Sequence, residues 1–339
     1  MTARANGTSR VLGSLTNPDS SLRAFVSGGA GFIGSHLVDR LLSLGHHVTV
    51  YDNLSTGQVE FLREAQKQPR FHMVNADLLE YERLREAVSD QDIVFHLAAN
   101  ADVRFGANHP DRDLQQNVIA THNLLEAMRT TGVDRIVFSS TGSVYGEPGV
   151  YPTPEDCPFP VQTSLYGASK VAAEALLCAY AEAFGFQALI FRFVSILGER
   201  YSHGHVFDFY KKLAANSSEI EVLGNGKQRK SYLYVGDCID GIVHALDAVT
   251  AQVNVFNLGT SEYCTVDQSL NWICDELGVD PARAYSGGER GWIGDSPFVF
   301  LDCARIQGLG WRPSVSIEEA VRRTLRYLRT ADWLFAART

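Results

Sequence analysis

The run Arg23-Ala-Phe-Val-Ser27, Gly28-Gly-Ala-Gly31-Phe32-Ile33-Gly34, Ser35-His-Leu-Val-Asp-Arg-Leu-Leu42 constrains the chain more than any other stretch. It reads as a short buried strand, a glycine turn and an amphipathic helix. Gly29, Gly31 and Gly34 satisfy GxGxxG. The missing Cβ atoms permit the tight turn, let backbone approach a pyrophosphate and let the helix pack on its strand. With 339 residues, 45% of them hydrophobic and 20% charged, the chain has material for one large α/β domain and a smaller lobe.

The following segments extend the same pattern. His47-Val-Thr-Val-Tyr-Asp52 is a second strand ending in an acid 18 residues after Gly34, about where a carboxylate accepts hydrogen bonds from an adenosine ribose. Asn53 and Leu54 follow it, with no Arg or Lys to welcome a 2′-phosphate, so Asp52 favours NAD over NADP; the plainer reading is a turn-former. Phe71 to Leu78 reads as a third strand with Asp77 at its end, and Ile93-Val-Phe-His-Leu97-Ala98-Ala99 as a fourth. Ligands collect at such strand ends. His96 lies within an apolar strand and reads as a core histidine. Asn117 starts a helical stretch, and Arg135 to Gly146 is a fifth strand running into a hydroxyl-rich turn that holds Ser140, Thr141 and Ser143.

Tyr166-Gly-Ala-Ser-Lys170 sets a phenol and an ammonium four residues apart, on one face of a helix. A phenol is a poor base near neutrality, and a positive charge beside it favours its ionised form. The pair can then exchange a proton with a substrate hydroxyl. An isolated pair of this kind is more often a packed Tyr and a solvated Lys.

Taken together, the Gly28 to Gly34 turn, Asp52, Asp77-Leu78, His96 to Ala99, Asn117, Ser140-Thr141 and Tyr166-xxx-Lys170 resemble the extended short-chain dehydrogenase/reductase family, in its nucleotide-sugar epimerase and dehydratase branch. The likeness continues through Gly224 to Asp237, Arg290 to Asp295 and Gly310 to Pro313. It implies an α/β fold: a Rossmann doubly wound parallel sheet of seven strands with a smaller C-terminal substrate-binding lobe. The expected division assigns residues 23–194 and 232–262 to NAD, and 195–231 and 263–335 to a nucleotide sugar. Implied cofactor contacts are Gly28, Gly31, Phe32, Ile33, Gly34, Asp52, Asn53, Asp77, Leu78, Leu97, Ala98, Ala99 and Asn117, with Tyr166 and Lys170. The family also implies a homodimer.

Within the branch, dehydratases resemble Thr-Asp-Glu before Val-Tyr-Gly, and UDP-glucuronate decarboxylases resemble Thr-Ser-Glu. This chain has Thr141-Gly142-Ser143 and lacks those carboxyls. The hydroxyl-only turn resembles that of the C4 epimerases, which implies Thr141, Tyr166 and Lys170 as catalytic residues and Ser143 as a substrate contact. Arg229 and Arg290 are the expected diphosphate ligands, since a guanidinium forks onto phosphate oxygens. Uronate epimerases look like Arg-x-x-Thr where this chain has Arg192-Phe-Val-Ser195, and glucose epimerases like Arg-x-x-Asn. Ser195, with Arg192 or Arg200 adding charge and Val299 leaving room, points to UDP-glucuronate and UDP-galacturonate. UDP-glucose and UDP-galactose, or a UDP-N-acetylhexosamine, are the alternative, ahead of a reductase or an NAD-binding sensor.

The remaining features exclude more than they suggest. A formal charge of −9 argues against a broad nucleic-acid or anionic-membrane surface. Six cysteines without CxxC spacing suggest free thiols in a reducing cytoplasm. His203-Gly-His205 lacks a third ligand, so no metal is expected. Residues 1–22 have no continuous apolar run and read as a loose tail.

Overall fold

The computed structural model describes residues 14–17, 19–100, 108–159, 161–292 and 294–336. Seven strands form the central sheet: β1 (Arg23–Ser27), β2 (His47–Asp52), β3 (Phe71–Asn75), β4 (Ile93–His96), β5 (Arg135–Thr141), β6 (Gln187–Phe193) and, after four short strands of the smaller lobe, β11 (Val253–Leu258). Their spatial order is β11-β6-β5-β4-β1-β2-β3, and every neighbouring pair is parallel. The doubly wound Rossmann sheet that the family resemblance implies is therefore present. Growth runs outward from β1 through β3, then restarts on the other side of β1 with β4. Between β1 and β4 the connections diverge, which opens a crevice at the carboxyl ends of the strands.

Strand residues are apolar in unbroken runs because both faces are covered. Val26, Val50, Phe95, Val137 and Leu189 enter the core on one face. Their neighbours Phe25, Val94, Ile136, Phe138 and Ala188 enter a second core on the other, as the two-residue period of a strand requires. Helices α1 (Phe32–Ser43), α2 (Tyr81–Val88), α3 (Ala120–Thr131) and α4 (Leu165–Phe184) supply the cover. His96 is fully buried, bonded through Nδ1 to the Ser27 hydroxyl at 2.7 Å and through Nε2 to Thr121 at 2.9 Å. Burial pulls it down to about 3, so it is a neutral core group.

The smaller lobe has a third core, with Leu197, Val206, Val222, Ile273 and Leu325 among its members. It is built on α5 (His205–Ala215), then, beyond α6 (Val235–Ala248), on α7 (Val266–Leu277) and α8 (Ile317–Leu328). Its strands pair in small sheets: β7 (Ser195–Leu197) with β10 (Tyr232–Tyr234), β8 (Glu219–Val222) with β13 (Ala282–Tyr285), and β9 (Arg229–Lys230) between β12 (Cys264–Thr265) and β14 (Phe298–Val299). From Val235 the chain returns to the large sheet, where α6 packs beside α1 and β11 adds the outer strand. No helix among the described residues is long and apolar enough to cross a membrane.

Residues 1–22 read from the sequence as a loose tail, of which residues 1–13 and 18 lie outside the described residues; the part described is held by hydrogen bonds to the large domain. Asp247, near the end of α6, accepts from the Leu15 amide at 2.8 Å, the Thr16 amide at 3.0 Å and the Ser14 hydroxyl at 2.7 Å. Leu15 is 1% exposed. The buried His46 ring takes the Leu22 amide on Nδ1 and so carries its proton on Nε2, which donates to the Leu15 carbonyl at 2.9 Å. Nothing in local composition signals this, because the partners are more than 200 residues away in the chain. Burial opposes the Asp247 charge, but the bonds from Thr16, Ser14 and the two amides outweigh it and hold the carboxyl below its ordinary range. Its contribution is therefore present above the unfolded carboxylate pKa and lost as pH falls through the lower folded value. Asp247→Ala is expected to lower stability by about 1 to 2 kcal/mol at neutral pH, with the difference from wild type vanishing in acid; chemical denaturation at several pH values measures both.

Candidate active site

A cavity of about 880 Å³ runs from the carboxyl ends of β1, β2 and β4 into the smaller lobe. Its floor at the β1 end is the glycine turn. A Cβ on Gly34 would lie 2.1 Å from the Gly28 carbonyl oxygen, so α1 starts hard against the turn only because that position is glycine. The α1 N-cap, Gly31, makes no side-chain capping bond and the first turn carries no acid. The leading N–H groups and the helix dipole are thus left for an anion, as a pyrophosphate site requires.

Asp52 ends β2 on the cavity wall, where Oδ2 accepts the Ala30 amide at 3.0 Å and Oδ1 the Leu54 amide at 2.8 Å. Burial raises its pKa, and these two amides pull the other way. Held at both oxygens, the carboxylate stands where a ribose would present its hydroxyls. Phe32, Ile33, Asn53, Leu78 and Leu97 to Ala99 complete this wall. Three expected contacts, Asp77, Asn117 and Lys170, do not line the cavity. Asp77 accepts the Asn53 amide nitrogen at 2.7 Å. Asn117, 1% exposed, donates to Ser169 at 2.9 Å and accepts the Asn100 amide at 2.8 Å, so it braces the wall without lining it.

Thr141, Ser143 and Tyr166 meet on the cavity wall through a close contact of two turns, with Lys170 behind them. Ser164 caps α4 by accepting the Gly167 amide at 3.0 Å, which places Tyr166 in the first turn and Lys170 one turn on. A Cβ on Gly167 would stand 2.9 Å from the Ser143 carbonyl oxygen; glycine there lets the helix start press on the turn that follows β5. Thr141 hydrogen-bonds the Tyr166 phenol, accepts the Ser143 amide at 3.1 Å and donates to the Ser143 hydroxyl at 3.2 Å. Lys170 is 2% exposed beneath them, its Nζ donating to the Ser139 carbonyl at 2.9 Å and lying 4.6 Å from the Phe138 ring centre.

The charge balance differs from the sequence expectation. Burial pushes Tyr166 up to about 12, with the Thr141 bond pulling down and Asp113 pushing further up. Burial pulls Lys170 down to about 7, opposed by Glu174 and Asp113. Among the chain's own groups, desolvation of the pocket outweighs the help a neighbouring ammonium gives a phenolate.

At the sugar end, Ser143, Ser195 and Val299 line the cavity. The four arginines expected there, Arg192, Arg200, Arg229 and Arg290, do not. Arg192, 5% exposed, forks onto Glu174, Nη2 to Oε2 at 2.7 Å. Arg229 stacks over Phe298 at 3.9 Å on the opposite face of β9 from Lys230. Arg290 pairs with Glu147 and donates to the Asp295 carbonyl at 3.2 Å. Lys230 is the strand-β9 cation that faces the cavity, bonded to Asp295 at 2.6 Å. Strand alternation admits only one of the adjacent pair Arg229 and Lys230 to the cavity wall, and it is the lysine and not the expected arginine. Lys211 and Lys212 of α5 and Trp292 also line the lobe side. His205 is committed to Ser269 at 2.8 Å and stacked on Tyr232, and burial pulls it down to about 3. Among the described residues no group of three His, Cys, Asp or Glu is placed to hold a metal.

Comparison with known proteins agrees on a family, whose matching members include 4-epimerases, UDP-glucuronic acid decarboxylases and dTDP-glucose 4,6-dehydratases. Residues 24–259 match the NAD dependent epimerase/dehydratase family. The chain is 33% identical over 311 residues to a putative UDP-glucose 4-epimerase of Methanocaldococcus jannaschii, covering 90% of this chain and 97% of that protein. A crystal structure of a UDP-galactose 4-epimerase superposes with a TM-score of 0.82 at 38% identity, covering 91% of this chain and 99% of the other. The Bacillus cereus UDP-glucuronic acid 4-epimerase, in complex with UDP-glucuronic acid and NAD, gives a TM-score of 0.84 at 26% identity over 91% and 99% of the two chains.

Proposed function

The chain belongs to the NAD-dependent epimerase/dehydratase family, and from that premise we propose that it interconverts UDP-glucose and UDP-galactose at C4 through a transient 4-keto sugar. The observation that carries the reaction type is the contact of Tyr166 with a turn whose only side-chain functions are the hydroxyls of Thr141 and Ser143. Such a turn can pass a proton to and from a sugar hydroxyl. It lacks the carboxyl groups that an elimination needs.

Bound NAD supplies the hydride acceptor and donor, and its oxidised ring a positive charge that favours the phenolate. The glycine turn and the first turn of α1 fit its pyrophosphate, and Asp52 its adenosine ribose. Tyr166 takes the C4 hydroxyl proton and later returns it, while Thr141 keeps the phenol aimed at the sugar. Lys170 lies beneath the pair, its charge supported by Glu174 and Asp113 against burial. The cavity walls exclude water from the keto sugar.

Lys230 is assigned to the diphosphate. Its ammonium spends two donors on Asp295 and the Ser296 carbonyl, which leaves a third. Lys230→Met is expected to raise KM for the UDP-sugar by about tenfold, the worth of one charge-assisted bond, with kcat little changed. An unaltered KM in steady-state kinetics would move the diphosphate elsewhere.

The preference for a neutral hexose rests on the arginines. A C6 carboxylate at Ser195 calls for a cation beside it, and neither arginine expected in that role serves it: Arg192 is taken by Glu174 and Arg200 by Asp39 at 2.7 Å. The lysines on the wall are Lys211 and Lys212 of α5 and Lys230, the last assigned to the diphosphate. The second reading, UDP-glucuronate, draws on the Ser195 hydroxyl, which opens onto the cavity. With both sugars in one tube, kcat/KM is expected to be at least about tenfold higher for UDP-glucose, the discrimination that one unpaired carboxylate supports. The reverse order establishes the uronate reading.

Tyr166→Phe is expected to reduce turnover by roughly 10²-fold or more while UDP-sugar binding and NAD content stay close to wild type. Near wild-type turnover of that variant would exclude Tyr166 as the proton acceptor.

A further inference from the structure

Glu174 continues the line of Tyr166 and Lys170 along α4, one turn further on the same face. It is 4% exposed. Arg192 of β6 grips it, Nη2 to Oε2 at 2.7 Å and Nε to Oε1 at 3.1 Å. The free end of the guanidinium, Nη1, donates to the Tyr145 hydroxyl at 2.7 Å and the Glu155 carbonyl at 2.9 Å. Ser140, the residue before Thr141, donates its hydroxyl to Glu174. Tyr145 closes the short helix that begins at Gly142 and donates to Asn257 of β11 at 2.8 Å. The Thr141 turn and the helix bearing Tyr166 and Lys170 are thus tied to one carboxylate.

A buried ion pair is a weak source of net stability, because the cost of desolvating both charges offsets their attraction. Its place directly behind the reactive groups suggests a different role. We propose that Glu174 and Arg192 are positioning residues: the pair fixes the Thr141 turn against the start of α4 and sets a buried counter-charge one turn from Lys170. This rests on reading Tyr166 and Lys170 as the catalytic pair.

The groups around Lys170 are few. Glu174 lies on its own helix, Asp113 on the helical turn Pro110–Asp113 that leads toward α3, and His96 on β4, with Tyr166 above and the Ser139 carbonyl below. His96 is neutral, and the two carboxylates alone oppose the effect of burial on Lys170. Burial acts against the Arg192 charge, but Glu174 outweighs it and keeps the guanidinium charged. Removing the Glu174 charge leaves Arg192 unbalanced and weakens the ammonium form of Lys170. Removing Arg192 takes away the cation that shares Glu174 and leaves this carboxylate, still bonded by Ser140, to Lys170, which strengthens the ammonium form.

The two single variants should therefore move Lys170 in opposite directions, which a merely structural role would not do. The test uses the NAD-loaded enzyme labelled with [13Cε]lysine, the Lys170 resonance being identified by its loss in Lys170→Met. In Glu174→Gln the titration midpoint is expected to fall by about one pH unit, and in Arg192→Met to rise by about as much. In both, kcat falls while KM for the UDP-sugar stays within about twofold. Midpoints that move together, or not at all, overturn the proposal. If either single variant fails to fold, Glu174→Met/Arg192→Met, free of unpaired buried charge, decides the matter: kcat at least about tenfold lower with KM unchanged supports positioning, and kcat within about twofold of wild type overturns it. The titration needs no sugar, so expected shifts in a protein that turns over no UDP-hexose would refute the functional reading alone.

Discussion

The crevice between β1 and β4 is the constraint on which the rest of the structure depends. A parallel sheet that grows first to one side and then to the other must leave a gap where its connections part, and that gap lies at the carboxyl ends of the strands. The glycine turn closes one side of it and the turn after β5 the other, while the smaller lobe covers it from the sugar side. None of these pieces could form a site alone. The Gly34 contact brings α1 onto its strand, and the Gly167 contact brings α4 onto the Thr141 turn. Both are approaches of backbone to backbone that any side chain would block.

Enclosure then governs the electrostatics. The same walls that exclude water raise Tyr166 to about 12 and lower Lys170 to about 7, each shift favouring the neutral form. A site of this kind needs charge supplied from within. Glu174 and Asp113 oppose the loss of charge at Lys170, and the positive ring of oxidised NAD, when bound, would favour the ionised phenol in the same way. The arginines expected to serve the substrate are engaged elsewhere: Arg192 behind the site, Arg229 on an aromatic face, Arg290 with Glu147. Lys230 takes the place on the cavity wall that residue type alone would give to an arginine.

How much was legible in the chain follows from the range of each interaction. The GxGxxG turn, the acid that ends β2 and the Tyr166-xxx-Lys170 pair are specified by spacings within a single strand, turn or helix, and they lie where the spacing puts them. The apolar segments likewise read as buried strands alternating with helices, and the resemblance of their motifs to a known family implied the parallel doubly wound sheet. Tertiary structure alone decided which charged side chains reach the cavity and whether residues 14–17 are held. Those outcomes turn on which face of β9 looks inward, on Glu174 claiming Arg192, and on Asp247 lying more than 200 residues from the amides it binds. A long charged side chain goes to whichever buried partner satisfies it best. That partner is chosen by packing between distant segments, which local spacing does not encode.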